Sequence, residues 1–290
     1  VRLLAAPEGA RPVLIGFDST RDAASCVAAI IGSGILPVAI EFMDRPAIHV
    51  CEHFVPAGYP LDAEAALIVE VEGSEDEIEY LLEKIEDIAQ DHNPTSMKRS
   101  QSTEESALIW KGRKAAFGAI GQISDYMCMD GVIPLAALPE ALDGVSLICR
   151  KYRFDVANIF HAGDGNLHPL ILYDANDPGQ LERAELCGAE ILKLCVELGG
   201  CLTGEHGVGI EKRELMYEQY TDEDIDQQVR IKEELDPAWL LNPGKVFPIL
   251  GRDAVKPSLE LTRLDAASDG LPPEDDLSDD IQTVESEGRL

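Results

Sequence analysis

The sequence predicts an α+β chain built from two ferredoxin-like βαββαβ units, followed by C-terminal helices and an acidic tail. Three observations carry that prediction. Apolar runs of strand length alternate with amphipathic helical stripes. The order strand, helix, strand, strand, helix, strand occurs twice. Beyond about Gly251 both patterns decay into a segment rich in Asp and Glu and poor in large apolar residues, which predicts a disordered tail over 251–290.

In the first unit, residues 11–17 read as a strand. Asp18, Ser19 and Thr20 offer N-cap oxygens for a helix to about residue 32, where Gly32-Ser33-Gly34 stops it. Residues 37–42 form a second strand, a polar loop rich in Pro and Gly follows, and residues 65–71 form a third. Ser74 with Glu77 is a capping box ahead of the stripe Ile78, Leu81, Leu82, Ile85 and Ile88. Residues 96–99 supply a short fourth strand. Ser102 and Glu105 cap a connecting helix that contains Trp110.

The second unit begins with a strand over 127–133 and a helix over 138–152 with Leu142, Val145, Leu147 and Ile148 as its apolar positions. Two strand-like runs, 156–160 and 169–173, flank a turn and read as a hairpin. Asp177-Pro178 opens a helix with the stripe Leu181, Ala184, Ile191, Leu194, Cys195 and Leu198, and 201–203 is a short last strand. Residues 222–241 read as a final helix, stopped by Asn242-Pro243-Gly244. The repeat is one of topology, with little sequence identity between the halves.

The charge balance narrows the function. Lys and Arg number 24 against 54 Asp and Glu, a formal charge of -30 in 290 residues. Such a field repels nucleic acid and anionic membrane surfaces. The seven cysteines are odd in number and none is in C-x-x-C spacing, which points to reduced thiols in a cytoplasm. No apolar run approaches the roughly 20 residues of a membrane span. The chain opens on Val1-Arg2-Leu3-Leu4, which reads as the middle of a strand, so a piece of a longer protein is expected.

Two motifs point to chemistry. His161 and His168 frame the turn Gly163-Asp164-Gly165-Asn166, an arrangement that suits a metal or an acid–base site; the plain alternative is two half-buried, hydrogen-bonded imidazoles. A third ligand is needed, and Asp164 sits in a turn where Asp usually bonds its own backbone. In Thr203-Gly204-Glu205-His206-Gly207-Val208-Gly209 a carboxylate and an imidazole are adjacent. Neighbours on a strand point opposite ways, so Glu205 could face a metal while His206 faces a substrate. A simple ferredoxin-like sheet leaves the end of its last strand far from His168, and a loop excursion or a modified sheet must join the motifs. Arg113, in Trp110-Lys111-Gly112-Arg113-Lys114, is either a carboxylate clamp or part of a surface ion-paired face. Lys245 is similar.

Together these motifs resemble the C-terminal domain of the FAD-linked 2-hydroxyacid oxidases. The resemblance rests on His161-Ala-Gly-Asp-Gly-Asn-Leu-His168, Gly204-Glu-His-Gly-Val-Gly209, Asn242-Pro-Gly-Lys245, Trp110-Lys-Gly-Arg-Lys114, Glu41-Phe-Met-Asp44 and Asp130-Gly-Val-Ile-Pro134. It covers roughly residues 1–250 and is strongest with the FAD-linked catalytic subunits of glycolate oxidases, with D-lactate and D-2-hydroxyglutarate dehydrogenases as relatives. It implies residues 1–10 as the exit strand of an FAD-binding domain absent from the chain, 11–250 as the cap and substrate domain, and 251–290 as the tail.

The resemblance further implies oxidation of a small D-2-hydroxy acid with FAD held mainly by the missing domain. It makes His161, His168 and Glu205 ligands of a divalent metal such as zinc, His206 the base, Arg113 the substrate-carboxylate group and Asn242 a cofactor contact. Expected partners are the FAD-binding domain or subunit and an iron–sulfur electron-acceptor subunit, with any membrane association made through such subunits. Two departures favour a small monocarboxylate over a larger diacid: Cys128 stands where some relatives have lysine, and Leu170 where some have asparagine. A non-catalytic binding or assembly module and a metal-dependent hydrolase are the competing readings.

Overall fold

The computed structural model describes residues 6–248. The expected tail at 251–290, and residues 1–5 of the expected exit strand, lie outside the described residues. Within them the first seven elements are β1 (Gly9–Phe17), α1 (Thr20–Gly32), β2 (Ala39–Asp44), α2 (Arg45–Phe54), β3 (Ala65–Gly73), α3 (Glu75–Gln90) and β4 (Pro94–Arg99). The strands lie in the order β4-β1-β3-β2, each antiparallel to its neighbour. The boundary drawn at residue 10 falls inside β1. Local chemistry sets the helix starts as expected: Ser19 accepts from the Asp22 amide, and the Ser74/Glu77 box is formed.

Helix α2 departs from the expected loop. Asp44 accepts from the Ala47 amide at 3.1 Å, Pro46 occupies the first turn, and Ala47, Ile48, Val50 and Cys51 are buried. His49, Glu52 and His53 interrupt that short stripe, and the Pro-rich run after it hides the helix in the sequence. Its burial makes the sheet two-faced. Val13, Ile15, Ala65, Leu67 and Val69 pack against α1 and α3, while Leu14, Met43, Ala66 and Ile68 pack against α2 and α4 (Thr103–Ile120). Strands covered on both faces read as continuous apolar runs.

The second unit follows as β5 (Asp125–Cys128), β6 (Gly131–Val132), α5 (Leu138–Tyr152), β7 (Val156–His161), β8 (Asn166–Leu167), β9 (Pro169–Tyr173) and α6 (Gln180–Glu197). The single strand expected over 127–133 is broken at Met129 and Asp130, while the hairpin's second strand, expected over 169–173, forms as β9. In α5 the buried positions are Leu138, Ala141, Leu142, Val145, Cys149 and Tyr152, whereas Leu147 is exposed. The last strand is reduced to one bridge, Val132 to Cys201. Short α7 (Met216–Gln219) and α8 (Asp222–Leu235) follow. Helix α8 stops six residues before the expected end, because Asp236 precedes Pro237 and its carboxylate caps the Leu240 and Leu241 amides instead. Among the described residues no helix is long and apolar enough to cross a membrane.

The halves join through β2 and β7, which pair antiparallel with Glu41 opposite His161, Phe42 opposite Phe160 and Met43 opposite Ile159. The Phe42 and Phe160 rings stack across this seam at 4.7 Å. On the opposite face α4 reaches over the seam, where Ala116, Ala119 and Ile120 share a cluster with Ala157, Ile159 and Leu170.

Candidate active site

The seam sets the first half of the site. Residues directly opposed in an antiparallel pair share a face, so Glu41 and His161 meet: His161 Nδ1 lies 2.8 Å from Glu41 Oε1. Arg113, from α4, donates from Nε to Glu41 Oε2 at 3.0 Å; its Nη2 is 2.7 Å from the same oxygen but is buried and not aligned for a hydrogen bond. The bond to Glu41 raises the His161 pKa, with burial opposing it. Glu41 is lowered: burial works against ionisation, but the His161 bond and the Arg113 charge outweigh it.

The break in the second sheet sets the other half. Asp130 is fully buried in the gap between β5 and β6. Its carboxylate accepts from Thr203 Oγ1, the amides of Gly204, Glu205 and His206, and Lys212 Nζ. Those donors hold the Asp130 pKa well below the usual carboxylate range despite its burial. Because the last strand ends after one bridge, residues 203–206 fold over the break rather than running on past it. This closes the distance that a full ferredoxin-like strand would have left between Glu205 and His168. Close approach requires Gly204, where a Cβ would stand 2.5 Å from the Asn166 side chain. In the hairpin turn Gly165 has φ +70°, and a Cβ there would meet Ile133 O at 2.3 Å.

The result is a cluster around one carboxylate oxygen. Glu205 Oε1 lies 3.8 Å from His161 Nε2, 3.5 Å from His168 Nε2 and 3.8 Å from His206 Nε2. The His168 and His206 rings stack at 5.0 Å, and Phe117 of α4 stands edge-on to His168 at 6.1 Å. Burial first, then the neighbouring imidazoles, push the His168 pKa down to about 4. Its Nδ1 is buried with no hydrogen-bond partner. His168 is thus a neutral, buried imidazole, the form that ligates metals.

Two groups of side chains have metal-ligand spacing: His161, His168 and Glu205, and Asp130, His168 and His206. Ligand atoms about 2.1 Å from a tetrahedral zinc stand roughly 3.4 Å apart. The first group's 3.5 and 3.8 Å separations fit that spacing and are too long for hydrogen bonds. Its His161 also carries the carboxylate partner on Nδ1 that ligating imidazoles usually have. The second group fits poorly, since Asp130 is already saturated by donors.

Four of the six residues singled out in the sequence therefore converge: His161, His168, Glu205 and His206. Arg113 is buried and turned to Glu41. Asn242 is exposed, at φ +47°, in the turn after α8. Its segment docks near the loop, with Val246 N donating to Gly209 O and Arg213 to Gly244 O, both at 2.8 Å. Sequence reasoning gave no role to Glu41, Asp130 or Lys212. Glu41 did leave a signal, as a charge inside the apolar run Ala39-Ile40-Glu41-Phe42-Met43.

Residues 6–246 match the family model described as FAD linked oxidases, C-terminal domain. The chain is 47% identical over 255 residues to glycolate oxidase subunit GlcD of Escherichia coli strain K12, covering 88% of this chain and 51% of that protein. It is 34% identical over 248 residues to the Bacillus subtilis strain 168 protein of the same name, covering 85% of this chain and 53% of that protein. It is 28% identical over 254 residues to a probable mitochondrial D-lactate dehydrogenase of Danio rerio, covering 86% and 50%. The chain spans about half the length of the curated relatives it matches. The structure of p-cresol methylhydroxylase with substrate bound shares the fold, with a TM-score of 0.64 at 15% identity over 85% of this chain and 54% of that one.

Proposed function

The chain belongs to the family of FAD-linked oxidase C-terminal domains, and from that premise we propose that it is the cap and substrate-binding part of a flavin-dependent enzyme. The enzyme oxidises a small D-2-hydroxy acid, glycolate or D-lactate, to the 2-oxo acid. The observation that carries the site is the convergence of three imidazole nitrogens within 3.8 Å of Glu205 Oε1. The relatives named as glycolate oxidase subunits and D-lactate dehydrogenases support the substrate class.

In this reading His161, His168 and Glu205 hold a divalent ion such as zinc. His206, half exposed at the end of the loop, takes the hydroxyl proton on a ring nitrogen. Arg113 uses Nη1, the guanidinium nitrogen not turned to Glu41, to draw the substrate carboxylate. Asn242 contributes to the flavin side. When bound, the ion polarises the substrate oxygens and FAD, held mainly by another domain or subunit, accepts the hydride. The iron–sulfur electron acceptor belongs to the same proposal. So does the division into an exit strand at 1–10, a domain at 11–250 and a tail at 251–290. The strand order β4-β1-β3-β2, mirrored beyond the β2–β7 seam, supports reading the two halves as ferredoxin-like units.

Metal analysis of the chain and of its His161→Ala variant tests the ligand set: the variant is expected to lose the ion, and equal metal content in both would reject it. In enzyme reconstituted with an FAD-binding part, His206→Ala is expected to lower kcat by about 10²-fold or more. Unchanged oxidation would refute its role as base.

A further inference from the structure

Glu41 is 5% exposed and its two oxygens are divided between two neighbours: Oε1 faces His161 Nδ1, and Oε2 faces the Arg113 guanidinium. A carboxylate only accepts hydrogen bonds, so the proton of this contact is on His161 Nδ1. In the neutral imidazole the other ring nitrogen then carries a lone pair. It points toward Glu205 Oε1 at 3.8 Å, an approach of two acceptors that no hydrogen bond explains. The sheet register leaves little freedom, because Glu41 and His161 are opposed residues of β2 and β7.

We propose that Glu41 is a positioning residue. It fixes His161 as the Nδ1–H tautomer and aims Nε2 at the point shared by His168 and Glu205, while Arg113 holds Glu41 in that pose. Arg113 thereby acts on the site through Glu41 as well as through any contact with substrate. The ion-binding part of this inference rests on the ligand set proposed above; the tautomer part does not.

The test uses the full chain labelled with ¹⁵N in its histidines, with long-range ¹H–¹⁵N spectra recorded near pH 9, where imidazoles are neutral. A parallel titration follows Co²⁺ by its visible absorption. Removing Glu41 alone would leave the Arg113 guanidinium buried without its carboxylate, so Glu41→Leu is combined with Arg113→Met to remove both charges together. Glu41→Gln has a single acceptor oxygen, which the Arg113 guanidinium takes, so its NH₂ faces His161 Nδ1. The wild-type chain is expected to show Nδ1–H at His161, and Glu41→Gln to shift it to Nε2–H. The double variant is expected to shift to Nε2–H and to bind Co²⁺ about 10–100-fold more weakly. Nδ1–H persisting in the double variant, or undiminished Co²⁺ affinity there, overturns the proposal. A wild-type chain that binds no Co²⁺ yet shows the Glu41-dependent tautomer removes the ion reading and leaves the role of Glu41 standing.

Discussion

With five donors converging on it, the Asp130 carboxylate takes over the work that a longer terminal strand would do in fixing residues 203–206. An Asp130→Asn change turns an amide NH₂ toward those donors and strands Lys212 as a buried unpaired cation, so the variant is expected to lose about 3–5 kcal/mol in urea unfolding. Buried thiols weaken the fold at alkaline pH, Cys26 among them. Burial pushes the Cys26 thiol up to about 12 from its ordinary value of 9.0. Between those two values the unfolded chain has released the proton and the folded chain has kept it, so rising pH favours unfolding across that window. A Cys26→Ala variant is expected to lose stability less steeply above pH 9 than the parent; equal slopes would show that Cys26 contributes nothing. The clustered imidazoles were readable from the sequence because histidine, with only six copies in the chain, sits there among glycines. Asp130 was readable only as a member of a motif, since nothing local marks a carboxylate whose partners lie more than seventy residues downstream.

Among the elements, helix starts were the most legible. Ser19, Ser74 and Ser102 each cap the helix that their local sequence announces. Helix α2 was hidden because its stripe is short and broken by charged and polar residues, and the Asp44 cap needs packing against α4 and the sheet to make it a helix. The interrupted strand was also hidden: the run 127–133 is apolar but for Asp130 and Gly131, and its break depends on that carboxylate being buried against a loop from elsewhere. The pairing of β2 with β7 has no local signal at all. Its mechanical centre is the Phe42–Phe160 stack. Phe160→Ala is expected to cost about 3–5 kcal/mol. Circular dichroism and urea melts would read the loss, and a cost below about 1 kcal/mol would mean that the seam is held by backbone pairing alone.

For the whole molecule, the proposed function makes the flavin the deciding ingredient. The purified chain is expected neither to retain stoichiometric flavin absorbance nor to reduce a dye with glycolate, and supplying the FAD-binding part in trans is expected to restore dye reduction. Stoichiometric flavin on the chain alone would contradict this. The pairing of Glu41 with His161 joins residues 120 apart in sequence. Contacts of that span form slowly, because chain closure has to be completed before they return any stabilisation. During refolding, helices and local hairpins should therefore appear before the cluster exists, and on the ligand set proposed above capture of a divalent ion should lag behind the far-ultraviolet signal. On the proposed ligand set the cluster is also a timer: a nascent or half-folded chain would not sequester metal, and ion uptake would mark the moment when the two halves have become one protein.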